Sequence, residues 1–457
     1  MNDHSQSGLF GSLFARGAAS TSDEAWLQAM LDTEAALARA AERAGLAPPG
    51  SGAAVTSVAS SRYFSNADLS GAAAATGNPV PALVKTLTGL LPAEPAGVAG
   101  AVHLGATSQD IIDTAAMLIA RQSLDTILAD LASAAGSCAA LAREHAATVM
   151  AGRTLLQQAV PVTFGLVAAG WLTAIDEARL RLHEVRASRL AIQYGGAAGT
   201  LASLGESGPR VAELLADELG LSNPVLPWHT SRLRVIELAA ALAGACAAMG
   251  KLARDVTLLA QTEVGEVAED TAGGTKGGSS AMPHKQNPVA SVVVLGNAKA
   301  APHLLASLAS AAEQEHQRAA GAWHSEWLPF TGLLTHTISA AAWTVDLLAG
   351  LRIDPARMRA NLGASHGLPM AEHVTTLLAP VLGRLEAHAL VAAASAAAAR
   401  QGLDLSEALL ANEEAAAKLA AAGVSNIDLK AALAPGNYLG ATSVFIEKAL
   451  EAHAAWA

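Results

Sequence analysis

Residues 273–288, GGTKGGSSAMPHKQNP, crowd hydroxyl, ammonium, imidazole and amide groups into one short stretch. Ser279 and Ser280 carry hydroxyls, Lys276 and Lys285 positive charge, His284 an imidazole and Asn287 an amide. Gly273, Gly274, Gly277 and Gly278 permit backbone shapes that other residues resist, and they let amide N–H groups approach a ligand. This set offers fixed donors and positive charge that can hold an anionic ligand. Serine is a weak base until its surroundings activate it. A glycine-hinged loop can also close over substrate and exclude water. The plainer alternative is a linker between helices. The density of Ser, His, Lys and Asn within 279–287 argues against it.

Two more segments carry candidate groups. In VHLGATSQDIIDTA, residues 102–115, Gly105 ends one element and Thr107 or Ser108 can cap the helix that follows. Asp110 suits the positive end of that helix, whose free N–H groups form an anion site. Thr107 and Ser108 are therefore either carboxylate ligands or merely a helix cap. The third segment is GRTLLQQAVPVTFG, residues 152–165, with Arg153, Thr154, Gln157 and Thr163 as polar candidates. A helix start with core residues is the competing reading there.

Long helices must position these groups. Apolar periodicity predicts helices over 22–45, 107–146, 158–190, 229–270, 288–318 and 328–350, with a capped start at RIDPAR, 352–357. Ile111, Ala115 and Leu118, then Leu124, Ile127, Leu128 and Leu131, mark the buried stripe of the second. Prolines and glycines break 46–100 into short pieces. The pattern divides into about 1–105, 106–350 and 351–457, an all-α chain with a central bundle of long helices.

Composition narrows the possibilities. The 457 residues are 52% hydrophobic, 15% charged and 4% aromatic, with much alanine. Few β-branched and aromatic residues make an extensive sheet improbable. A net charge of −11 without a basic tract argues against nucleic acid as partner. Cys138 and Cys246 lie in helical pattern, which fits reduced thiols in a cytoplasm. The opening MNDHSQSGLFGSLFARG has no basic start before an apolar run, so no signal peptide is expected. Mean hydropathy is +0.33, yet Glu237 and His388 interrupt apolar stretches, which favours buried bundle helices over membrane spans.

GSSAMPHKQNP resembles the signature loop of the fumarase/aspartase superfamily, G-S-S-x-M-P-x-K-x-N-P. That resemblance implies Ser279 as catalytic base, with Lys285 and Asn287 holding a substrate carboxylate and Ser280, Met282 and His284 completing the loop. It makes Thr107 and Ser108 carboxylate ligands and places His103 near the site. GRTLLQ is similar to the superfamily's G-R-T-H-x-Q, implying site roles for Arg153, Thr154 and Gln157. The histidine of that pattern is Leu155 here. In lyases that release an amine, this histidine is the proposed acid. A carboxylate leaving group needs no proton, being a stable anion near neutral pH. Leu155 therefore points to the lactone-forming cycloisomerase branch. LFGSLFARGAASTSDEAWLQAMLDTEAALARAAERAGL, GNPVPALVKTL (77–87), EHQRAAGAWHSEW (315–327) and DPARMRANL resemble that branch too. Arg318 or His316 would hold the third carboxylate of its substrate. The resemblance also implies a homotetramer with a twenty-helix core, sites shared between subunits, and no metal or cofactor. An adenylosuccinate lyase and a non-catalytic relative of the same fold remain alternatives.

Overall fold

The computed structural model describes residues 8–94, 96–270, 277–279, 281–282, 284–421 and 423–456. Of the structure, 68% is helix and 6% strand. Packing groups the chain into two compact units. One comprises Met1–Ala132, Glu177–Gly250 and Val292–Val345; the other comprises Ser133–Asp176, Lys251–Ser291 and Asp346–Ala457.

In the first unit, the helix Asp23–Arg43 begins where Ser22 Oγ accepts the Ala25 N–H at 3.2 Å. Gly45 follows its end at φ +74°. Ser108–Glu144 runs 37 residues, about 55 Å at 1.5 Å per residue. Ile111, Ala115, Leu118, Leu124, Ile127, Leu128 and Leu131 are all buried, as their spacing predicts. The interior also holds an ionic triad. The Arg232 guanidinium donates to both oxygens of Asp113, at 2.8 and 2.9 Å, and to Glu326 at 2.6 Å. Trp323 Nε1 donates to Asp113 at 3.0 Å, and Gln109 and Gln193 donate at 3.2 Å each. Every strong acceptor of Asp113 is thus occupied, as burial of a carboxylate requires.

The second unit departs from the helical expectation. The expected helix over 158–190 begins only at Phe164, as Phe164–Ser188. Residues 158–163 belong to a hairpin of β1, Val149–Thr154, and β2, Gln157–Thr163. Val160, Pro161, Val162 and Thr163 explain it: β-branched side chains favour the strand, and Pro161 is tolerated in a two-stranded ribbon. Gly152 sits at a register shift where a Cβ would lie 2.5 Å from the Val160 carbonyl oxygen, so no larger residue fits. The expected 229–270 helix is Leu233–Leu259, followed by β3, Val267–Glu269, which pairs antiparallel with β4, Leu351–Ile353. Asp354 Oδ1 then accepts the Arg357 N–H at 2.9 Å and caps Pro355–Gly363, as RIDPAR predicts. Val374, Leu378, Val391, Leu405, Leu409, Leu419 and Leu429 form the core of the C-terminal helices.

The remaining long helices are Val289–Ser310, which starts as expected but ends earlier, and Ala322–Ala349, which ends as expected but starts earlier. Cys138 and Cys246 are free and buried, and burial pushes their thiols up to about 12 and about 11.

Replacing Arg232 by Met should cost about 3–5 kcal/mol in urea unfolding, because two buried carboxylates would lose their cation. A loss below about 1 kcal/mol would show that the triad does not carry this energy.

Candidate active site

In the first unit the sequence candidates converge on the start of the 108–144 helix. The helix begins at Ser108, so Thr107 takes the cap position. Asp110 Oδ2 reaches back to the Thr107 N–H at 2.9 Å, the return half of a capping box. The same carboxylate accepts the N–H groups of Gly195 at 3.0 Å and Gly196 at 2.9 Å, and His229 Nε2 at 2.7 Å. Asp110 is fully buried. The Thr107 hydroxyl is engaged instead by the Arg318 guanidinium. Arg318 and Thr107 therefore share one spot at a helix N-terminus, 211 residues apart in sequence.

His103 lies four residues before Thr107, in the left-handed region at φ +56°. Its Nδ1 meets Glu34 Oε1 at 2.7 Å and its backbone N–H donates to Glu34 Oε2 at 2.9 Å. Burial opposes a charge on this ring, but the Glu34 carboxylate and Asp110 outweigh it and hold His103 above the ordinary histidine range. Tyr194 Oη donates to the Leu104 carbonyl at 2.6 Å. A Cβ on Gly105 would lie 2.6 Å from Leu204 Cδ1, so glycine is needed where the turn packs. His316 is exposed, and its carbonyl accepts the Thr230 hydroxyl at 3.1 Å.

The second unit holds the signature loop and the hairpin. Asn287 ties the loop's ends: its N–H and its Nδ2 both donate to the Gly277 carbonyl, at 2.8 and 3.1 Å. A Cβ on Gly277 would lie 2.5 Å from the Asn287 carbonyl oxygen, and its φ is +79°, so this closure depends on glycine. Ser279 Oγ accepts the Met282 N–H at 3.1 Å and the Ala281 N–H at 3.4 Å. Amide donors aimed at that oxygen favour negative charge on it, as a base requires. Met282, His284 and Lys285 are exposed. Ser280, Lys276 and Pro283 lie outside the described residues. Glu269 accepts the Ala290 and Ser291 N–H groups at 2.9 Å each and the Ser291 hydroxyl at 2.6 Å, fixing the start of the 289–310 helix beside the loop.

Arg153 stands on β1 with its guanidinium paired to both oxygens of buried Glu266, at 2.9 and 2.6 Å. Asn361 Nδ2 donates to the same carboxylate at 2.8 Å. Thr154 and Gln157 pair across the hairpin, leaving Leu155 and Leu156 as its two-residue turn. Both leucines have positive φ, +50° and +66°, and are 97% and 75% exposed. Such turns normally use Asn-Gly.

Sequence reasoning missed Glu34, Asp113, His229, Arg232, Glu266, Glu269 and Glu326. Their one signal is a charged or imidazole side chain set among apolar residues. Among the described residues, no cluster of His, Cys, Asp and Glu is arranged to hold a metal ion.

A long-helix fold with a Ser-Lys-Asn loop defines a class, and the comparisons agree with it. The family profile described as "Lyase" matches residues 14–301, and "Adenylosuccinate lyase C-terminus" matches 367–449. The chain belongs to this lyase family, the fumarase/aspartase superfamily. It is 46% identical to the 3-carboxy-cis,cis-muconate cycloisomerase of Bradyrhizobium diazoefficiens over 95% of each chain. It is 43% identical to the nitrosuccinate lyase of Streptomyces davaonensis over 94% of this chain and 91% of that one. The crystal structure of 3-carboxy-cis,cis-muconate lactonizing enzyme from Pseudomonas putida superposes with a TM-score of 0.90 at 40% identity, covering 98% of this chain and 99% of the other.

A Leu155→Asn, Leu156→Gly double variant should unfold about 1–2 kcal/mol later, since both new residues accept positive φ. Urea melts that show no gain would mean that the turn is unstrained.

Proposed function

We propose that the protein is a 3-carboxy-cis,cis-muconate cycloisomerase, forming 4-carboxymuconolactone in protocatechuate catabolism. The observation that carries this reading is the hairpin tip. Leu155 brings no proton where related amine-releasing lyases place a histidine, so the departing group must be stable as an anion. A carboxylate of the substrate itself meets that condition. The chain's 46% identity to a cycloisomerase supports it.

In the lactonising direction a carboxylate oxygen bonds to one carbon of the C=C. The π electrons move into the neighbouring carboxylate, giving the enolate-like dianion. Lys285, Asn287 and the donors at Thr107 and Ser108 hold this charge, and Arg318 holds the third carboxylate. Ser279 Oγ delivers a proton to the adjacent carbon and regains one from solvent. In reverse, Ser279 removes that proton, the C–O bond breaks, and the carboxylate leaves.

A second reading has its own support. The chain is 43% identical to a nitrosuccinate lyase, and a nitro group lost as nitrite would likewise leave as a stable anion. An adenylosuccinate lyase requires protonation of an amine, which Leu155 cannot supply. A non-catalytic role leaves Ser279 and Lys285 without purpose.

The same reading makes the protein a cytoplasmic homotetramer whose subunits share sites. Enzymes of this superfamily act on small carboxylates and are typically oligomeric. Among the described residues, three helices, Ser108–Glu144, Leu233–Leu259 and Val289–Ser310, are long and apolar enough to cross a membrane, with only 44%, 56% and 33% of their apolar windows buried within the chain. Neighbouring subunits would cover the rest.

The test is ultraviolet absorbance of 3-carboxy-cis,cis-muconate with purified enzyme, which should lose its diene band. Persistence of that band while nitrosuccinate yields nitrite would transfer the assignment to the second reading. Ser279→Ala should keep its circular dichroism and oligomeric size but lose about a thousandfold in kcat. Near-full turnover would remove Ser279 from its role.

A further inference from the structure

We propose that Glu34 is a positioning residue for the reaction: it clamps His103 so that the ring's Nε2–H faces a substrate carboxylate beside Thr107 and Arg318. The inference rests on the function proposed above and extends it to a residue buried in the middle of the 23–43 helix. Three observations carry it.

The first is the geometry of the clamp. One Glu34 oxygen takes the His103 backbone N–H at 2.9 Å and the other takes Nδ1 at 2.7 Å. A single carboxylate thus fixes both the main chain and the ring of a residue held at φ +56°. The second is burial. Glu34 is 0% exposed, whereas the His103 side chain is 22% exposed. A buried carboxylate requires a donor, so Nδ1 carries a proton and Nε2 is the nitrogen left to a ligand. The third is the turn itself. Residues 103–107 are pinned at three points, by Glu34 at His103, Tyr194 at Leu104 and Asp110 at Thr107. A turn held this rigidly presents the His103 ring and the Thr107 hydroxyl in fixed relation, which suits recognition of two oxygens of one anion.

The groups facing His103 set its charge. Glu34 from the 23–43 helix and Asp110 from the 108–144 helix favour the imidazolium. Tyr194 is pushed above its usual range by burial and these same two carboxylates, so it stays neutral. His229 pairs with Asp110, and Arg318 reaches Thr107. The imidazolium therefore adds a second cation to the anion site, and it weakens as pH rises through the His103 pKa.

The experiment combines kinetics of Glu34→Gln, His103→Asn and the double variant on 3-carboxy-cis,cis-muconate with NMR titration of the His103 ring. Glu34→Gln keeps the shape and removes the charge. Its His103 should titrate at least about one unit lower, which is a tenfold change in the protonation equilibrium. The alkaline limb of kcat/KM should move down with it, KM should rise more than kcat falls, and adding Glu34→Gln to His103→Asn should cost little more. An unmoved His103 titration, or losses that multiply in the double variant, would overturn the clamp. A wild-type enzyme that leaves the diene band untouched would instead defeat the assigned reaction, while the NMR titration would still decide on Glu34.

Discussion

One buried carboxylate organises the first unit. Asp110 accepts four N–H donors, from Thr107, Gly195, Gly196 and His229, and an ionised carboxylate offers about four lone-pair sites. Left unpaired, such a charge would cost several kcal/mol in the interior. Fully paired, it binds the first turn of the 108–144 helix to two distant segments. Gly195 and Gly196 are glycines for the same reason. A Cβ on Gly195 would lie 2.7 Å from Pro227, and one on Gly196 would lie 2.8 Å from the Gly105 carbonyl oxygen. Because the Asp110 N–H donates to the Thr107 carbonyl at 2.9 Å, the Thr107 hydroxyl is left for Arg318.

The chain is only 15% charged, yet it spends charge in its interior. Glu34, Asp113, Arg232 and Glu326 are buried in one unit, and Glu266 and Glu269 in the other. Each acid has a partner that belongs to a different element. Buried ion pairs contribute little net stability over apolar packing. What they add is a fixed position for polar groups, and here they lie within or beside the segments that bear the candidate site residues. Burial still pushes Glu326 above the ordinary carboxylate range against the pull of Arg232. The exposed groups are different in kind. Lys285, His284 and the two leucines of the hairpin tip reach solvent.

Local signals were legible in the sequence, and tertiary ones were not. Ser22, Thr107 and Asp354 announced helix starts because capping is decided within three or four residues. The stripe from Ile111 to Leu131 announced a buried face because periodicity is intrinsic to the helix. The hairpin was misread because Leu155-Leu156 lacks the Asn-Gly signature and Ala-rich neighbours suggest helix. Glu34, His229 and Arg232 were invisible as buried partners. Their partners, His103, Asp110 and Asp113, lie 69, 119 and 119 residues away, and no spacing rule joins them. Ser279, Lys285 and Asn287 stood out only because one loop carries all three.

We propose the helix start at Thr107, with Arg318 and His103, as the anion seat of the reaction. A crystal structure of the Ser279→Ala enzyme with 3-carboxy-cis,cis-muconate tests it directly. The account predicts a substrate carboxylate oxygen about 3 Å from Thr107 Oγ1, with the Arg318 guanidinium turned from Thr107 onto the substrate's third carboxylate. Substrate bound elsewhere, with Arg318 still on Thr107 and His103 facing no ligand atom, would contradict it.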